Sequence, residues 1–123
     1  MFERNYHNNR RLYMRIDVNS ECVVFKDDVE MNAFIVDVSE DGMKISIRVP
    51  DMKVGLKVND RMEVVGVDED DVTCFCAEIV RVNEVGNNVI LGARILNQRA
   101  IEPYVTKKKV DSFIEKLGNE PIF

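Results

Sequence analysis

A chain of 123 residues is one domain's worth, long enough to bury a single core and too short for two comfortable ones. Its apolar share of 46% and charged share of 32% are those of an ordinary soluble globular protein, and no apolar run approaches the ~20 residues of a membrane span. A net charge of −5 argues against sequence-independent binding to long nucleic acid, where many phosphates must be neutralised. The opening Met1-Phe2-Glu3-Arg4-Asn5 lacks the apolar core of a signal peptide, and three cysteines suit a reducing compartment, so the expected location is the cytoplasm.

The charge is unevenly spread. Through Ile16 there are four arginines (Arg4, Arg10, Arg11 and Arg15) against one carboxylate, Glu3, while the rest of the chain is acidic. Residues 1–16 carry no clean periodicity and read as a basic arm or loop. A solvated basic arm is the plain reading of such a segment. A local cationic patch on an acidic body also suits a small anion carrying two or three charges.

From Glu21 the pattern becomes β. Glu21–Lys26 is a β-branched and aromatic run ended by Asp27-Asp28, and Glu30–Val38 is a second strand running into Ser39–Gly42. Met43–Val49 is the cleanest strand, with Met43, Ile45, Ile47 and Val49 alternating with Lys44, Ser46 and Arg48. Pro50 stops it, and a connection follows that contains Gly55. Asp60–Val67, Val72–Val82 and Val89–Leu96 complete six strands, separated by the acidic turn 68–71 and by Gly86-Asn87-Asn88. Residues 17–97 thus read as a mainly β unit, an antiparallel barrel rather than a sandwich, because closure removes exposed edges. Residues 98–123 form a C-terminal helix and tail belonging to the same domain. Val110, Phe113, Ile114 and Leu117 make one apolar stripe expected to cover an end or face of the barrel, with Pro103 in the first turn and Gly118 as the stop. Lys107-Lys108-Lys109 reads as a solvated helix face.

Two short motifs stand out. Arg11-Leu12-Tyr13-Met14-Arg15 fits R-x-x-x-R, with Arg10 doubling the first arginine, and Asp37-Val38-Ser39-Glu40-Asp41-Gly42 fits D-x-S-x-x-G at a strand end. In this order, on six strands followed by a helix, the pair resembles the PilZ domain family of bacterial β-barrel receptors for cyclic di-GMP. The resemblance covers nearly the whole chain. It implies that Arg10, Arg11 and Arg15 clamp phosphate and guanine from the arm, while Asp37, Ser39 and Gly42 hold the ligand from the barrel.

The chemistry suits these residue types. Guanidiniums match phosphate oxygens and the O6/N7 edge of guanine. A carboxylate accepts from the N1–H and N2–H₂ edge, a hydroxyl donates or accepts at a sharp turn, and glycine admits close backbone approach. Arg81 lies where the family strand often presents an aromatic or arginine to the ligand, and is a stacking candidate beside the plainer reading of an exposed strand arginine. One departure is Asp41, where many members carry a second glycine.

Other chemistry finds little support. Cys74 and Cys76 share a strand face, Cys22 is the third cysteine and His7 the one histidine, which is too few ligands for a metal site; the cysteines read as small buried core residues. No nucleophile and base pair up, so no catalytic residue is expected, and no cofactor beyond the ligand itself. The expected function is a receptor, not an enzyme, that orders its arm on cyclic di-GMP and presents a new surface to a protein partner. The rivals are an adaptor of the same fold working only by protein contacts, and a small single-stranded nucleic-acid-binding barrel. The latter should show exposed aromatics beside basic residues, and these strands contain few.

Overall fold

The computed structural model describes residues 15–67 and 72–119. Among these, six antiparallel strands close into a barrel: β1 (Ile16–Lys26), β2 (Val29–Val38), β3 (Gly42–Arg48), β4 (Arg61–Val67), β5 (Val72–Val85) and β6 (Asn88–Ile95), in the order β1-β2-β3-β6-β5-β4. Helix α1 (Gln98–Asn119) follows. The mainly β architecture with a C-terminal helix is the one expected from the sequence.

Alternation explains the interior. Met31, Ala33 and Ile35 of β2, Met43, Ile45 and Ile47 of β3, and Phe75, Ala77 and Ile79 of β5 all point inward and are buried. The β1–β2 hairpin turns through Asp27 and Asp28, both at positive φ (51° and 69°), which matches the right-handed twist of the flanking strands. Gly86, at φ 62°, begins the β5–β6 turn, and Asn88 already pairs in β6. After β3, Val49–Asp51 forms a short 3₁₀ turn around Pro50, and the chain crosses to β4 while burying Leu56. Pairing of β4 with β1 closes the barrel.

Several boundaries differ from expectation. β1 begins at Ile16 rather than Glu21, because Asp17, Asn19 and Glu21 take the exposed positions of an alternating strand that looks polar when read linearly. β5 runs three residues past Val82, paired to β6 though largely exposed. α1 starts at Gln98, so Pro103 lies inside the helix and forgoes a hydrogen bond to the carbonyl four residues back. The helix also continues through Gly118 to Asn119.

The apolar stripe of α1 does not cover the barrel. Tyr104 and Val105 fill that role: the Tyr104 ring meets Phe75 edge-on at 5.2 Å, and its hydroxyl lies 3.5 Å from Ser20 Oγ. Phe113 lies nine residues further, about 13 Å along the axis. There Val110, Phe113 and Ile114 are exposed, Phe113 by 61%.

Candidate functional site

Irregularities in three strands fall on one row of the barrel wall. In β2, Ile35 pairs with Ile45 but Asp37 pairs with Lys44, so Val36 is an extra residue. Were Val36 paired with Lys44 in regular register, Asp37 would follow Met31, Ala33 and Ile35 into the core. In β5, Ile79 pairs with Ala93 and Arg81 with Gly92, so Val80 is extra and Arg81 is turned out of the inward series Phe75, Ala77, Ile79. β1 shifts register between Asp17 and Ser20, opposite the β2 bulge. Bulges of this kind re-aim side chains, and here they align an outward row: Asp17, Asp37, Lys44, Gly92 and Arg81.

The structure brings the two motifs together. Arg15, one residue before β1, donates from Nη1 to Asp37 Oδ1 at 2.9 Å. The other oxygen, Oδ2, lies 3.8 Å from Lys44 Nζ. Arg15 Nη2 reaches over Gly42, 3.6 Å from where a Cβ would stand. Its Nε is buried and finds no hydrogen-bond partner among the described residues. Asp37 is only 7% exposed, so its charge is carried by two cations rather than by water.

Ser39 has a different place from that of an open ligand group. It is fully buried, its amide bonds the Gly42 carbonyl at 2.8 Å, and its hydroxyl donates to Asp41 Oδ1 at 2.6 Å. The Ile95 amide donates to the Asp41 carbonyl at 3.0 Å, which ties the turn to β6. Asp41, the departure from the family pattern, is thus an internal brace of this turn. Gly42 has a reason within the barrel itself: a Cβ there would stand 2.7 Å from the Ala93 carbonyl oxygen, a backbone atom with little room to retreat. Arg81 folds its guanidinium across Gly92, with Nη2 3.3 Å from the position of a missing Cβ. Arg10 and Arg11 lie outside the described residues.

Lys44 and Gly92 were not singled out from the sequence. Lys44 looks like any polar residue on the wet face of β3, and only pairing with Asp37 gives it meaning. Arg94, opposite Gly42, is committed to an ion pair with Glu78. The cysteine expectation needs correcting. Cys22 is buried, and burial pushes its thiol up to about 12, whereas Cys74 and Cys76 are exposed. Phe75 and Ala77 take the inward positions of β5, which turns both thiols to solvent. The Cys74 thiol is raised by partial burial and by Glu63 and Cys76 nearby.

A closed six-stranded barrel that gathers arginine, lysine and aspartate side chains on its outer wall, beside Gly42 and Gly92, defines the class of fold and the candidate site. The family description "PilZ domain" matches residues 9–115, and the chain belongs to that family. Among solved structures, the PilZ domain of YcgR from Escherichia coli with c-di-GMP is similar at 18% identity and a TM-score of 0.73, over 91% of this chain and 100% of that one. Escherichia coli YcgR in complex with c-di-GMP is similar at 20% identity and 0.69, over 90% of this chain; the chain spans about half (51%) of that protein. The Bacillus subtilis inhibitor of motility MotI/DgrA is similar at 12% identity and 0.63, over 84% of this chain and 53% of that one. No curated protein matches. Among the described residues no helix is long and apolar enough to cross a membrane.

Proposed function

We propose that this PilZ-family chain is a receptor for cyclic di-GMP, acting by binding rather than catalysis in the bacterial cytoplasm. The observation that carries this reading is the 2.9 Å contact between Arg15 and Asp37, which joins the end of R-x-x-x-R to the start of D-x-S-x-x-G. Two structures similar to this chain hold c-di-GMP. Asp37 offers carboxylate oxygens to the N1–H and N2–H₂ donors of a guanine. Arg10, Arg11 and Arg15 supply guanidiniums for the phosphodiesters and the O6/N7 edge. Ser39 keeps the turn in shape, Gly42 lets Arg15 lie close to the wall, and Arg81 presents a flat cation on which a base stacks.

Arg15 is seated on Asp37 before any ligand arrives. Coupling of binding to arm order therefore falls chiefly to Arg10 and Arg11, whose guanidiniums suit the phosphates of the ligand. The arm so placed makes a new surface for a protein partner. Titration calorimetry with cyclic di-GMP, against GMP and cyclic di-AMP, tests the reading. Selective binding of the guanine dinucleotide is expected; equal binding of all three, or none, removes it.

A further inference from the structure

Lys44 belongs to neither motif, yet it is the second cation on Asp37. Its Nζ lies 3.8 Å from Oδ2, within ion-pair range but too far for a hydrogen bond, while Arg15 holds Oδ1 at 2.9 Å. The lysine side chain is 38% exposed, so its ammonium can swing away from the carboxylate with little loss. On its other side the row continues to Gly92, which presents no side chain, and then to Arg81 folded over that gap. Lys44 therefore stands between a carboxylate on one side and, over Gly92, a guanidinium on the other.

We propose that Lys44 is a ligand-contacting residue: as Asp37 engages the donor edge of a guanine, Lys44 moves its ammonium from Asp37 to a phosphodiester oxygen of the same ligand, on the side where Arg81 lies over Gly92. This rests on the cyclic di-GMP reading given above. Two parallel guanine donors require both carboxylate oxygens, and both are occupied in the free protein. Each oxygen accepts more than one bond, so Arg15 at hydrogen-bonding distance can stay, whereas the longer and more exposed lysine contact gives way. The same face carries Asp17, exposed and opposite Asp37 in the β1–β2 register. Arg15, Lys44 and Arg81 still outnumber the two carboxylates, so a phosphate is attracted.

Removing Lys44 has two opposed effects. It frees Asp37 from a competitor, and it deletes a phosphate contact. A half-exposed ion pair competes weakly, whereas a charge-assisted bond to phosphate is among the stronger polar contacts, so the loss wins. The test is calorimetric titration of the full chain with cyclic di-GMP for wild type, Lys44→Gln and Lys44→Arg, with phosphorus NMR of the bound ligand. Lys44→Gln is expected to weaken binding about tenfold, Lys44→Arg by no more than about twofold, with a phosphorus resonance shifted in the Gln variant. An unmoved phosphorus spectrum would mean that Lys44 only steadies Asp37, and overturns the proposal whatever the affinity. Equal affinity of wild type and Lys44→Gln overturns this inference alone. A wild-type chain that binds no cyclic di-GMP overturns the receptor reading itself, and this inference falls with it.

Discussion

Arg15 and Gly42 lie near each other yet answer to different demands. The Arg15 side chain is 23% exposed and that of Asp37 10%, so removing Arg15 leaves a buried carboxylate with Lys44 at 3.8 Å as its remaining counter-ion. Arg15→Ala should therefore weaken cyclic di-GMP binding by about 2 kcal/mol, roughly thirtyfold, and also lower the thermal midpoint. Calorimetry and a melting curve on the same sample separate the two. Gly42→Ala should act on stability more directly. Its Cβ meets the Ala93 carbonyl oxygen at 2.7 Å, so β3 and β6 must part, at a cost of about 1–3 kcal/mol read from the urea midpoint. A stability unchanged by Gly42→Ala would show that the strands yield there freely.

At the scale of elements, α1 divides into a half that is structural and a half that is not. Tyr104 and Val105 are buried against the barrel, and the Lys108 ammonium sits over the Tyr104 ring at 5.3 Å. Tyr104→Ala should lower stability by about 3 kcal/mol, because it removes the ring packed on Phe75 and leaves a cavity. Phe113→Ser, three turns of sequence away from that contact, should change stability by less than about 0.5 kcal/mol. Chemical denaturation of the two variants checks the contrast; a large loss in Phe113→Ser would mean that the stripe packs on the barrel after all. The strands show a matching division. The bulges at Val36 and Val80 turn Asp37 and Arg81 to the outside and bring Val38 and Val82 to the core side.

For the whole molecule, alkaline pH supplies a test of the core. Burial raises the Cys22 thiol from 9.0 to about 12, so the folded state keeps a proton that the unfolded chain has released above pH 9. The folded state then binds more protons than the unfolded one, and stability must fall as pH rises from about 9 towards 12. Comparing wild type with Cys22→Ala across that window should show a shallower decline in the variant; identical slopes would mean that Cys22 does not couple to unfolding. Ligand should act on a different region. Amide exchange is expected to slow over residues 10–15 and 37–42 on adding cyclic di-GMP, with the distal half of α1 unchanged. No change over 10–15 would remove arm ordering from the mechanism.

Local pattern by itself determined the strand inventory, the Asp27-Asp28 and Gly86-Asn87 turns, and the two motifs, because alternation and turn chemistry are written in neighbouring residues. It also made a receptor fold legible, since R-x-x-x-R and D-x-S-x-x-G are short and contiguous. It misplaced Cys74 and Cys76: a period of two says that they share a face, but not which face, and Phe75 filling the core decided that. It sent the α1 stripe to the barrel, although Tyr104 had already closed the opening. Lys44 and Gly92 were invisible for the same kind of reason. Their meaning comes from strands distant in sequence, where two bulges shift the register by one residue each and set Asp37, Lys44, Gly92 and Arg81 in one row. A one-residue shift reverses which face a side chain takes, and pairing between strands, not the order of residues along any one of them, sets that shift.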